Sequence, residues 1–193
     1  MKTIFLICSL LLFGLHSWSQ TKNEHEERVT LEVLPEAAIA VINELPKRCK
    51  RLRFYKETDG EKQSFEAKFK YKRQHYSLEF NTEGLIEDIE VIIELKEIED
   101  AKKSKITNYF EEHFDKFQYI KIQKQYVYYQ SAKPVTFLND VLSKQSEAEV
   151  NYELVAEIKL DSKHEVREFL FGKTGKFKSF RTLNPESYEH ILY

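Results

Sequence analysis

The chain has 193 residues, with 30 Lys and Arg against 32 Asp and Glu for a formal net charge of −2, and the two signs are interleaved from end to end. No concentrated basic face is written here, so neither nucleic acid nor a membrane surface is an expected partner. Of two cysteines, Cys8 lies in an N-terminal apolar run and Cys49 is left alone, which excludes an intrachain disulfide in the mature protein.

Residues 1–19 read as a signal peptide, with Lys2 ahead of an apolar run from Ile4 to Leu15 and a small-x-small end at Ser17-Trp18-Ser19. The run is well short of the roughly 20 residues that span a bilayer. An exported protein, periplasmic or secreted, with no integral span after cleavage is therefore expected. Residues 20–33 read as a leader: Thr21 to Glu27 is polar, carries three glutamates and has no periodicity, so it is expected to fray. Val29 to Leu34 is a short strand or an extended approach.

Leu34-Pro35 then opens a helix, in which Glu36 complements the dipole and Ala38, Val41, Ile42 and Leu45 form one apolar stripe before Pro46 ends it. Arg48 to Glu57 changes to period two, with Leu52 and Phe54 on one face and Arg51, Arg53 and Tyr55 on the other. After the turn at Thr58-Asp59-Gly60-Glu61, Gln63 to Tyr71 repeats the alternation. A hairpin from His75 to Glu90 completes four antiparallel strands ending near Ile93.

Leu95 to Ser104 reads as a charged linker into a second helix, where Ile106, Tyr109, Phe110 and Phe114 recur at helical spacing. Tyr119 to Tyr129 is a strand. The insertion 130–149 has no counterpart earlier in the chain, and its Pro134, Phe137, Leu138, Val141 and Leu142 suggest a short helix. Strands from Val150 to Leu160, Glu165 to Phe171 and Lys176 to Leu183 follow.

The hairpin at Tyr76, Leu78, Phe80 and Gly84 returns, with the same spacing, at Phe169, Phe171 and Gly175. Together these features predict an α+β fold of two tandem units, each one helix packed on a four-stranded antiparallel sheet. The first unit would span 34–95 and the second 96–193, with the insertion inside it.

Chemistry is harder to find. There is no G-x-S-x-G, P-loop, H-E-x-x-H, C-x-x-C or G-x-G-x-x-G, so no catalytic, cofactor or metal residue is expected and the protein reads as a non-enzyme. The mature histidines are scattered, and Glu112 and His113, being adjacent on a helix, point about 100° apart. Glu83, Glu87, Asp88 and Glu90 crowd the first hairpin, but a run this polar implies a solvated strand rather than a desolvated acid. The better candidates are surfaces for protein binding. Tyr126, Tyr128 and Tyr129 present aromatic area on a strand, and Arg51, Arg53 and Tyr55 match them in the first unit.

The signal peptide, L-P-E-A-A-I-A-V-I from Leu34 to Ile42, the proline-ended helix, the aromatic strands and Y-S-L-E-F-N-T-E-G-L-I-E from Tyr76 to Glu87 resemble the PepSY-like, β-lactamase-inhibitor-protein-like domains of exported bacterial proteins. The likeness is better over Leu34 to Ile93 than over Asn108 to Leu183. It implies a non-catalytic module whose sheet face grips or inhibits an exported or envelope protein or peptide. The alternative is a carrier of a small apolar ligand, with Phe137, Leu138, Val141 and Leu142 as a lid over a pocket beneath the insertion.

Overall fold

Among the described residues, alternating side chains build ten strands, and hydrogen bonding joins all ten into one sheet. The computed structural model describes residues 20–129, 131–161 and 163–184, so the signal peptide expected at 1–19 lies outside the described residues. In chain order the strands are β1 (Gln20–Lys22), β2 (Glu24–Val29), β3 (Lys50–Asp59), β4 (Lys62–Tyr71), β5 (Gln74–Asn81), β6 (Ile86–Ile92), β7 (Lys116–Val127), β8 (Val150–Leu160), β9 (Lys163–Phe171) and β10 (Phe177–Leu183). Three α-helices among the described residues accompany them, α1 (Glu36–Asn43), α2 (Asp100–His113) and α3 (Pro134–Ser143), with short 3-10 turns at Leu31–Val33 and Leu95–Glu97. α2 starts earlier than its apolar spacing predicts. Its first turn is charged and held by the pairs Lys102–Glu99 at 2.8 Å and Lys103–Asp100 at 2.5 Å, which leave no apolar signal.

Strands β2 to β10 pair antiparallel, and β1 adds parallel to β10. The expected two units, each with its own four-stranded sheet, are not formed. β6 and β7 pair directly, from Asp88↔Val127 to Ile92↔Gln123, and Ile93 N donates to Ile122 O at 2.9 Å just beyond. The physical reason is the edge: two separate sheets would leave the polar backbone groups of β6 and β7 without partners, and joining them satisfies both rows.

The leader is also corrected. β1 pairs with β10 at one margin of the sheet, while β2, after Asn23 alone, pairs with β3 at the other. The sheet must therefore curl until both margins meet on residues 20–29. Ion pairs seal the seam, Arg181 to Asp59 at 2.9 Å and Lys22 to Glu168 at 2.9 Å, and Asn23 N donates to Asp59 Oδ1 at 3.1 Å. A segment with no apolar face can hold such a place because its side chains Glu24 and Glu26 turn toward a polar interior.

All three helices lie against the other face. Ala38, Val41 and Ile42 of α1, Ile106 and Phe110 of α2, and Phe137, Leu138, Val141 and Leu142 of α3 share one buried cluster with Ala67, Leu78, Phe80, Ile89, Leu154, Phe169 and Phe171. Aromatic rings dominate its α2 side, where Phe110 sits 4.7 Å from Phe169 edge-on. Two hairpin glycines fix the helices' beginnings. At Gly84 (φ 80°) a Cβ would stand 2.8 Å from Ala38 N, and at Gly175 (φ 76°) 2.7 Å from Lys102 O.

Candidate functional site

Because successive residues of a strand face opposite ways, the side chains between those of the apolar cluster must point into the curl. Across neighbouring strands they line up as Glu66, Glu79 and Asp88, and as Ser77, Glu90, Gln125 and Asn151. Glu168 stands opposite both Val155 and Arg181. The interior is thus polar, and it is rich in carboxylates.

For Asp88 and Glu90 this overturns the reading of the first hairpin as solvated, while Glu83 is exposed and Glu87 half-buried. Asp88 and Glu90 are only 9% and 8% exposed. The sequence signal was present only from Asp88 onward, where Asp88 and Glu90 alternate with Ile89 and Val91; a register shift in the β5–β6 pairing just before it returns Ile86 to the apolar cluster. What it lacked was any sign that the second face was enclosed. Enclosure comes from β1 and β2, which lie far from β6 in sequence.

Hydrogen bonds tie the interior together. Gln125 Nε2 donates to Asp88 Oδ2 at 3.1 Å and to Glu153 Oε1 at 3.0 Å, while Asn151 Nδ2 donates to Gln125 Oε1 at 3.0 Å. Gln123 donates to Glu90. Lys68 bridges Glu26 at 2.7 Å and Glu66 at 3.1 Å and lies 4.8 Å from the centre of the Tyr55 ring. Burial, joined by the charge of Glu66, pushes the Glu57 carboxyl up to about 10. Burial and neighbouring carboxylates likewise raise Glu79, Asp88 and Glu153 well above the ordinary range. Burial acts the same way on Glu168, but Lys22 and Arg181 outweigh it and hold that group near 2.

Two cavities open from this face. One, of about 160 Å³, is lined by Glu57, Glu79, Asp88, Glu90, Glu153 and Arg181 among others. The other, of about 100 Å³, has Arg51, Arg53, Tyr55, Lys68, His75 and Lys121 on its walls and Glu90 in common with the first. Arg51, at φ 58° in an irregularity of the β3–β4 pairing, and Arg53 are exposed, and none of the described residues forms an ion pair with either. His75 is held below its ordinary value by burial and then by the charges of Lys70 and Arg51.

The six residues singled out from the sequence do not form one surface. Arg51, Arg53 and Tyr55 meet in the second cavity. Tyr126 is half-buried against the helix-covered cluster. Tyr128 donates to Ala132 O at 2.5 Å and packs edge-on against Phe137, and Tyr129 stacks on Tyr128, so this pair borders an open groove with Glu147, Ala148 and Glu149. Phe137, Leu138, Val141 and Leu142, expected as a lid, are themselves core side chains between 0% and 4% exposed.

No protein-family model and no curated protein matches the chain. Among solved structures it is similar in fold to a DUF2874 family protein from Bacteroides ovatus ATCC 8483, at 7% identity and a TM-score of 0.51, covering 77% of this chain and 87% of that one. A second, a candidate periplasmic protein of the DUF2874 family from Bacteroides vulgatus ATCC 8482, aligns at 14% identity with a TM-score of 0.30, over 80% and 95% of the two chains. Among the described residues no helix is long and apolar enough to cross a membrane.

Proposed function

We propose that this is an exported, non-catalytic module that binds an acidic segment of a protein or peptide through the inner face of its sheet. The observation that carries the reading is the pair of exposed guanidiniums at Arg51 and Arg53, without ion-pair partners among the described residues, on a wall shared with Lys68, His75, Lys121 and the Tyr55 ring. Guanidinium matches carboxylate geometry with two parallel donors, and a tyrosine beside it adds rigid contact area. The signal-like start of the chain and the sequence resemblance to sheet-binding exported domains support the same reading.

The test is binding of fluorescently labelled acidic, neutral and basic peptides of equal length, followed by anisotropy at several salt concentrations. The acidic peptides should bind most tightly and lose affinity as salt rises. Rim charges contribute up to about 1 kcal/mol each, so Arg51→Ala/Arg53→Ala should weaken binding by roughly 5- to 30-fold. Equal affinity for all three peptides, or an unchanged double variant, would refute the proposal.

A further inference from the structure

Two carboxylate triads stand on the inner face, and they differ in one respect. In each, one carboxylate oxygen from every member lies within 4.8 Å of the other two: Glu26, Glu57 and Glu66 in the first, Glu79, Asp88 and Glu90 in the second. The first is already bridged by an ammonium, that of Lys68, which reaches both Glu26 and Glu66. Among the described residues no cationic side chain forms an ion pair with the second, although the charges of Lys121 and Lys22 reach Glu90. The triad's nearest lysine on the adjoining strand, Lys62, is engaged with Glu87 at 2.9 Å.

The register makes the second triad costly as it stands. Glu79 and Asp88 are directly opposite each other on β5 and β6, the arrangement in which like charges repel most. Asp88 is 9% exposed, and its Oδ1 has no hydrogen-bond partner among the described residues although Oδ2 accepts from Gln125. A carboxylate oxygen shut off from solvent and without a partner, on a residue that lines the 160 Å³ cavity and has two further carboxylates in reach, needs a proton or a cation.

We infer that Glu79, Asp88 and Glu90 hold a divalent cation that prefers hard oxygen ligands, calcium or magnesium in class. Three carboxylates supply oxygen donors only, which suits those ions and not thiolate- or imidazole-seeking metals. The cavity leaves room for waters to complete the coordination. The ion takes the role in this triad that Lys68 plays in the other, and it ties β5 to β6 beneath the binding face.

The experiment uses the full mature chain, treated with chelator, desalted and titrated separately with calcium, magnesium and manganese chloride. Calorimetry reads the stoichiometry and a thermal melt reads the stabilisation. One equivalent of an ion should bind, and at about a hundred times its dissociation constant the melting temperature should rise by roughly 5–10 °C. Asp88→Asn and Glu79→Gln remove repulsion without changing shape, so both should melt higher than wild type in chelator and lose at least tenfold in ion affinity. Absence of heat and of any shift with all three ions, or an Asp88→Asn protein that keeps the full shift, overturns the inference. Should one variant fail to fold, the other is read alone by the same criterion.

Discussion

Replacing Lys68 with methionine keeps most of the unbranched stem and removes the ammonium, and with it the charge that neutralises the first triad. Lys68, Glu26 and Glu66 side chains are 21%, 9% and 4% exposed, so solvent screens their pairing little. At an effective dielectric near 20, a pair about 4 Å apart is worth about 4 kcal/mol, and breaking a buried pair by deleting one partner costs about 3–5 kcal/mol. For a chain of this size that is a fall in melting temperature of roughly 10 °C. The loss is specific to pH. Burial by itself would raise the Glu66 carboxyl, but Lys68 and the hydrogen bonds of Glu57 and Ser77 bring it below its ordinary 4.5. A lowered carboxyl adds stability above its unfolded value, and this is lost as pH falls through the folded one. The difference between wild type and Lys68→Met, measured by urea denaturation, should therefore be full at pH 7 and shrink below about pH 4.5. Lys68→Met/Glu66→Gln should recover at least half of it. A cost under about 1 kcal/mol at pH 7, or one equal at pH 3 and pH 7, would refute the reasoning.

The remaining carboxylates make an opposite forecast for the wild type in chelator. Glu57 is pushed up to about 10, and Glu79, Asp88 and Glu153 lie well above their ordinary values, with burial the first cause in each. Raised carboxyls stabilise below the unfolded value near 4.5 and withdraw that stability as pH rises toward the folded one, whereas Glu168, held near 2, does the reverse only in acid. The urea midpoint should therefore be highest on the mildly acidic side and decline from about pH 5 to pH 9; a flat or rising midpoint contradicts it. In the backbone, Gly175→Ala should cost about 2–3 kcal/mol because strain at φ 76° adds to a clash with the Lys102 carbonyl. Gly60→Ala, at φ 62° with nothing within 4 Å, should cost only about 1 kcal/mol, and equal losses at the two sites would remove the helix-docking role given to Gly175.

Local order was legible in the sequence because its causes are local. Period-two alternation and turn glycines located β3 to β6 and β8 to β10, and Pro134 with its apolar spacing located α3, all to within a few residues. Arg51, Arg53 and Tyr55, read as one face from alternation, line one cavity, but Arg51 reaches it through an irregularity in the β3–β4 pairing that no alternation predicts. Pairing between elements distant in sequence carries no such mark. Nothing in Asp88 to Ile92 says that it will bond to Gln123 to Val127 across an intervening helix, and the repeated hairpin suggested two sheets where backbone satisfaction demands one. The larger misreading has the same origin. Thr21 to Glu27 has no apolar face and looked like a leader, yet hydrogen bonds to both margins make it the seam of the curl. Only that closure encloses the second face, and enclosure is what turns Glu79, Asp88 and Glu90 from ordinary strand carboxylates into buried or half-buried, mutually repelling groups. Alternation along each strand fixes which residues share a face wherever no bulge intervenes; closure of the sheet fixes which face meets water.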